Sequence, residues 1–291
     1  MLVNHSLNQF KQDAGDGTIP VSGLSSGAPT GFLTLIGVRK DYTSRSGQTT
    51  RVLSPIQLQI HKGEFLSIVG PSGTGKTTLL KIMAGLVAPS AGQVRLLGRS
   101  IDAPPPEMVY LSQQYGKSLL PWRTVVKNVE FALEHRAQVN RAQRRERAME
   151  ALANVGLAGV CDRYPWQLSG GMQQRVTIAR ALAARPSVLL LDEAFSSVDA
   201  LTRMELQDLI LDTWRRHALT VVLVTHDIDE AIYLSDRVAV MSHPPASIVE
   251  IISTGLARPR AQIETRADPR FLELRYRLYE FVRRPVGQAP T

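Results

Sequence analysis

The residues most able to do chemistry stand in "GPSGTGKT", where Gly70, Gly75, Lys76 and Thr77 match G-x-x-x-x-G-K-[ST]. Glycines at those places let successive backbone N–H groups turn inward with no Cβ in the way. A helix opening at the end of the loop adds unpaired N–H groups and the positive end of its dipole, so the whole is a cradle for phosphates. Lys76 is expected to reach the β- and γ-phosphates and Thr77 Oγ to hold Mg²⁺. The contact set expected on a nucleoside triphosphate is Gly70, Pro71, Ser72, Gly73, Thr74, Gly75, Lys76, Thr77 and Thr78. An ordinary glycine-rich turn needs neither the lysine nor a strand before it and a helix after it.

Two further constellations lie downstream. "SVLLLDEAF" ends an apolar run in adjacent acids, Asp192 and Glu193. In proteins with such a loop this aspartate holds Mg²⁺ through water. A second carboxylate beside it can orient, or take a proton from, the water that attacks the γ-phosphate. "LSGGMQQR" then sets Ser169, Gly170 and Gly171 ahead of a helix expected over Met172–Ala183, which again presents a helix N-terminus to an anion. One nucleotide cannot easily fill two separate anion sites on one small domain, so the second glycine pair needs an explanation.

The elements that must position these groups follow from the hydrophobic pattern. "FLTLIGVRKDY" reads as an early strand. In "IQLQIHKGEFLSIVG", Ile56, Leu58 and Ile60 alternate before a turn at His61–Glu64, which predicts a hairpin leading into a buried strand at Phe65–Val69. A helix from Thr77 to about Ala84 is closed by Gly85. "QVRLLG" and "EMVYLS" read as strands. Between Trp122 and Leu157 the pattern turns helical, with Ala148, Leu152 and Val155 opposite an arginine-rich face; no aromatics interleave those arginines, so a solvated face is expected. From Ser187 onward strands and helices alternate, with Val and Leu runs suited to strands covered on both faces. The fold class is therefore α/β, a mostly parallel sheet interrupted by a helical insert.

Bulk properties bound the rest. The 291 residues allow one large domain with appendages, and 44% hydrophobic residues suffice for a sizeable core. Residues 1–30, rich in Gly, Ser, Asn and Asp, read as a flexible tail without the marks of a secretory signal; 31–254 form the α/β domain, its helical insert at about 115–170, and 255–291 a basic extension expected to hold one amphipathic helix. The extension's arginines could meet lipid head groups or a partner subunit, but standing in water is the simpler expectation. No apolar stretch is long enough to cross a bilayer. A single cysteine, Cys161, fits a reducing compartment and a packing role. The formal charge of +8 favours anionic partners without choosing among them.

Taken together, "GPSGTGKTT", "LSGGMQQR", "LLLDEAFSSVD" and "VTHD" resemble the ATP-binding subunit of ABC transporters over about residues 33–254. The resemblance implies a P-loop NTPase fold: a RecA-like core, an antiparallel β subdomain and an inserted helical subdomain. It also implies ATP and Mg²⁺ as ligands. Residue by residue, Tyr42 is similar to the aromatic that stacks on adenine, Gln113 (with Gln114 beside it) to the glutamine touching Mg²⁺ and the attacking water, and His226 to the histidine at the γ-phosphate. Asp199 resembles the aspartate that communicates between subunits. Members pair head to tail, as a homodimer or with a second ABC subunit, so Ser169, Gly170 and Gly171 would bind the other copy's ATP. That answers the question of the second glycine pair.

"SLLPWRTVVKNVEFAL" and "RVAVMSHPPASIVEIISTGLARPR" further resemble importers of the nitrate/sulfonate/taurine group. The resemblance implies an integral-membrane permease, indirectly a solute-binding protein, a peripheral place on the cytoplasmic face of the inner membrane, and no nucleic acid. Trp122 is then either an exposed anchor for the membrane subunit or a core tryptophan of the insert. A soluble ABC-type ATPase of DNA repair or translation would share the ATP motifs, though such proteins carry a long coiled coil or two fused cassettes.

Overall fold

The computed structural model describes residues 31–113, 118–134, 139–196 and 198–283. The expected N-terminal tail, Gln114 and Ser197 of the "SSVD" stretch lie outside the described residues.

Two sheets form the body. A four-stranded antiparallel sheet has the order β2 (Thr49–Ile60), β1 (Leu33–Thr43), β4 (Ala91–Leu96), β5 (Arg99–Ser100). A six-stranded sheet has the order β10 (Ile248–Ser253), β9 (Arg237–Met241), β3 (Phe65–Val69), β8 (Thr220–Val224), β7 (Val188–Asp192), β6 (Met108–Leu111). Its neighbours are parallel except for the β9–β10 pair at one edge. The helices are α1 (Lys76–Met83), α2 (Val125–Glu130), α3 (Arg141–Asn154), α4 (Gly170–Ala183), α5 (Ala200–His217), α6 (Ile228–Leu234), α7 (Gln262–Ala267) and α8 (Pro269–Arg283).

The continuous apolar runs of the central strands have a direct cause. Along β3, Phe65 and Val69 enter a core shared with α2, α3, α4 and α8, whereas Leu66 and Ile68 enter a second core shared with α1 and the antiparallel sheet. Val188 and Leu190 of β7 alternate with Leu189 and Leu191 in the same way. A strand covered on both faces has no polar side to show. Its C-terminal edge is where the phosphate loop and the acids emerge.

The expected hairpin at His61–Glu64 does not form. Ile60 pairs with Leu33 in the antiparallel sheet, while Leu66 pairs with Val222 and Arg237 in the other sheet. The turn is anchored to the second sheet, with Gly63 N donating to Thr220 Oγ1 at 2.9 Å and Phe65 N to Asp236 Oδ2 at 2.9 Å. The change from alternating to continuous apolar residues marks a change of sheet, because only β3 is buried on both faces.

The C-terminal extension also differs from expectation. It forms two helices, and Phe271, Leu274 and Leu278 are buried in the main core. Its arginines are bonded to the same chain rather than left in water: Arg275 to Asp229, Arg277 to Glu250 and Arg258 to Asp236. On the arginine-rich side of α3, Arg141 and Arg145 are exposed, whereas Arg144 and Arg147 are half-buried and Arg144 Nε donates to the Val139 carbonyl at 3.0 Å. No helix among the described residues is long and apolar enough to cross a membrane.

Candidate active site

β3 delivers the chain into the loop Gly70–Gly75, and α1 begins at Lys76. Gly75 has φ +91, and a Cβ there would stand 2.7 Å from Val52 Cγ1 and 3.0 Å from Leu53 Cδ2 of β2. Only glycine satisfies both the left-handed backbone and the contact with the antiparallel sheet. Lys76 is buried, and its Nζ donates to the carbonyls of Gly70 and Pro71, each at 2.8 Å. Burial lowers the lysine's pKa, and the negative charges of Glu193 and Asp192 oppose that shift.

Thr77 follows on the first turn of α1, and its Oγ1 donates to Asp192 Oδ1 at 2.9 Å. The predicted metal-holding hydroxyl and carboxylate thus meet, across 115 residues of sequence separation. The other oxygen of Asp192 accepts from the Tyr110 hydroxyl at 2.7 Å. Burial first, then this bond, raises the Tyr110 pKa and keeps it a donor. Glu193 sits at φ +49, a region that non-glycine residues rarely occupy, and its N–H donates to the Val224 carbonyl at 2.8 Å. That turn points the carboxylate at two neighbours. Gln113 Nε2 donates to Glu193 Oε2 at 2.8 Å, and His226 Nδ1 lies 3.5 Å from the same oxygen. Gln113, Glu193 and His226 therefore converge from the ends of three strands.

Ser169, Gly170 and Asp199 are exposed. Ser169 caps α4, its Oγ accepting from Met172 N at 3.3 Å, and Asp199 caps α5, accepting from Thr202 N at 3.0 Å. The bonds from Thr202 hold the Asp199 carboxyl below its usual pKa. The two helix starts are neighbours, since a Cβ on Gly171 would meet Thr202 Cγ2 at 2.6 Å. Among the described residues no hydrogen bond links Ser169, Gly170 or Asp199 to the phosphate loop. Tyr42 is exposed near the end of β1, with Lys40 Nζ 5.0 Å above its ring. Trp122 is 72% exposed, which excludes the core role.

Sequence reasoning missed two participants. Tyr110 looks like a strand residue, and only its pairing across the sheet reveals its bond to Asp192. Gln174, inside the quoted octapeptide, is buried and donates to the Ala194 carbonyl, tying α4 to the segment after Glu193. Gln173 and Gln174 stand side by side in the sequence, and only the packing of α4, which buries Gln174, tells them apart.

Comparison with known proteins gives a consistent result. A family model described as ABC transporter matches residues 53–196. The bicarbonate transport ATP-binding protein CmpD of Synechocystis sp. is 42% identical over 266 residues, covering 91% of this chain and 93% of that protein. The nitrate import ATP-binding protein NrtC of Synechococcus elongatus is 42% identical over 253 residues, covering 86% of this chain and 38% of that longer protein. Among solved structures, the dimeric post-hydrolysis state of the ATP-binding cassette MJ0796, bound to ADP and Pi, superposes with a TM-score of 0.66 at 31% identity, covering 76% of this chain and 98% of that one.

Proposed function

This chain belongs to the family of ABC transporter ATP-binding proteins, and from that premise we propose that it is the ATP-hydrolysing subunit of an importer for a small anionic solute of the nitrate, sulfonate or taurine type. The observation that carries the reaction is the convergence of Gln113 and His226 on one oxygen of Glu193. A water held by Gln113 and His226 attacks the γ-phosphorus in line, the bond to the ADP oxygen breaks, and Glu193 takes the water's proton. Lys76 exchanges its bonds with the loop carbonyls for bonds to the β- and γ-phosphates. His226 contacts the γ-phosphate.

The oxygens of Thr77 and Asp192, already within hydrogen-bond distance, suit Mg²⁺, a hard ion that takes few protein ligands beside phosphate oxygens. Gln113 is the third residue assigned to it. Bound there, Mg²⁺ would neutralise charge on the phosphates.

Two copies facing head to tail complete the machine. The exposed Ser169, Gly170 and Asp199 of one copy, with the half-buried Gly171, would close on the ATP held by the other's loop and by Tyr42. Hydrolysis removes the γ-phosphate from that contact, and the pair opens. The motion passes to a membrane permease, with Trp122 as the anchor, and the chain lies on the cytoplasmic face as a peripheral subunit. A solute-binding protein delivers the anion. Names of relatives that transport bicarbonate and nitrate support that solute class.

The test is Glu193→Gln. Its shape is kept, so MgATP binding stays near wild type, hydrolysis falls roughly 10²-fold or more, and an ATP-bound dimer accumulates on gel filtration. Wild-type turnover in this variant overturns the assignment of Glu193. Recovery of the full chain from cells with nucleic acid or ribosomes, and without a multispanning permease, would overturn the transport role.

A further inference from the structure

His226 is held by little of its own. Its side chain is 58% exposed, so packing does not fix the ring. Its aim comes from the backbone on either side: Thr225 N donates to Ile68 O on β3, and Asp227 N donates to Thr225 Oγ1 at 3.0 Å. Asp227 then caps α6, accepting from Glu230 N at 3.0 Å. The imidazole is therefore carried at the start of a helix of only 7 residues. Such a helix has no stability of its own and takes its position from whatever grips it.

α6 packs on β3 and is tied to α5 by Arg203–Asp227 and by the Tyr233 hydroxyl donating to Asp208, and the C-terminal extension grips it at both ends. In the first turn, Arg275 Nε and Nη2 donate to the two oxygens of Asp229 at 2.6 and 2.7 Å, a bidentate fork. At the other end, Arg260 donates to the carbonyls of Ile232, Tyr233 and Ser235 at 3.0, 2.6 and 2.8 Å, and Arg258 to Leu234 at 2.9 Å. Those are the carbonyls that a helix end leaves without partners, and cations suit that end of the dipole. Between the ends, Arg266 donates to Gln207 at 3.1 Å, and Gln207 donates to the buried Glu230 at 3.1 Å. Phe271, Leu274 and Leu278 of α8 are buried in the core they share with α6.

We propose that the extension is a clamp on α6 that sets the distance between His226 and Glu193, with Arg275 as its chief positioning residue. The clamp governs the hydrolytic step and not the binding of ATP, since none of its residues belongs to the phosphate loop. It rests on the reading of His226 as a group that holds the attacking water.

The experiment compares Arg275→Ala and Arg275→Lys in the full chain, measuring kcat and KM for MgATP, each also in a His226→Ala background. A displaced catalytic group predicts kcat lower by roughly tenfold for the alanine variant, with KM within about twofold, and partial recovery with lysine, which keeps the charge and loses the fork. In the His226→Ala background the alanine change should cost nothing further. Wild-type kcat in Arg275→Ala, with or without a lower Tm, overturns the clamp. An equal loss in both backgrounds overturns it too, because the effect then bypasses His226. A wild-type rate in His226→Ala alone is the separate result that overturns the role of His226, and the clamp with it. Arg275 is 41% exposed, so its truncation opens no core cavity. Should that variant still yield no folded protein, unchanged kcat in Arg275→Lys overturns the proposal and a reduced kcat at unchanged KM supports it.

Discussion

The phosphate loop and the Ser169–Gly171 turn use the same device, glycines ahead of a helix N-terminus, yet their surroundings differ. Around the first, the chain satisfies itself: Lys76 bonds to two loop carbonyls, Thr77 to Asp192, and Gly75 packs against Val52 and Leu53. Around the second, Ser169 and Gly170 are exposed, and Ser169 Oγ caps α4 by accepting from Met172 N. Gly170 is the sharpest contrast. A Cβ there meets nothing within 4 Å, so among the described residues nothing requires glycine at that place. Gly171 differs again, because Thr202 already gives it an internal reason. A glycine without such an internal reason suits the second copy proposed above.

The largest effects should separate the two loops. Gly75→Ala forces a left-handed backbone on alanine and drives its Cβ into β2, so ATP binding by the single chain should fall more than about tenfold. Gly170→Ala should leave Tm unchanged or slightly raised, since alanine is the better helix residue by about 0.5 kcal/mol. It should also leave ATP binding by the monomer intact. Hydrolysis and ATP-dependent dimerisation should nonetheless fall by roughly tenfold, through a methyl group at the joint. Analytical ultracentrifugation with and without MgATP, beside a turnover assay, reads both. Wild-type dimerisation in Gly170→Ala would break the comparison.

How much of this was legible beforehand depended on the range of the interaction. The Gly70–Thr77 cradle is local, and so its residues were all readable from spacing. The pairing of Thr77 with Asp192 needed only the rule for such loops. The Tyr110 bond to Asp192 was not readable, because it links neighbouring strands whose order no local pattern states. The misread hairpin at His61–Glu64 has the same origin: turn residues look alike whether the chain returns to its own sheet or crosses to another. For the extension, one amphipathic helix was expected, but not that the core and α6 would cover Phe271, Leu274 and Leu278.

Asp199 offers an intermediate effect, because its carboxylate has both an inward and an outward reason to exist. Inward, it caps α5 through Thr202 N. Outward, it is exposed beside the start of α4. Asn caps a helix about as well as Asp, whereas alanine does not. Asp199→Ala should therefore lower Tm by about 2–4 °C, and Asp199→Asn should not. If the charge also serves the second copy, Asn should still slow hydrolysis by a few-fold at saturating ATP. Full activity in Asp199→Asn, with a Tm loss only in Asp199→Ala, would reduce this residue to a cap and leave the outward face to Ser169 and Gly170.

Trp122 carries the smallest expected effect on the isolated chain, and for that reason the most selective one. It is 72% exposed on the helical insert, and truncating an exposed side chain moves stability by no more than about 0.5 kcal/mol. If the outward groups near α4 serve a second copy while the insert serves a membrane subunit, the two faces must respond independently. Trp122→Ala should then match wild type in ATP binding, in MgATP-dependent dimerisation and in basal turnover. Only the assembled transporter should change, hydrolysing ATP without moving solute. A loss of dimerisation comparable to that of Gly170→Ala would mean that Trp122 lies within the copy-to-copy surface, and the division of the molecule into one face for its twin and one for its channel would have to be redrawn.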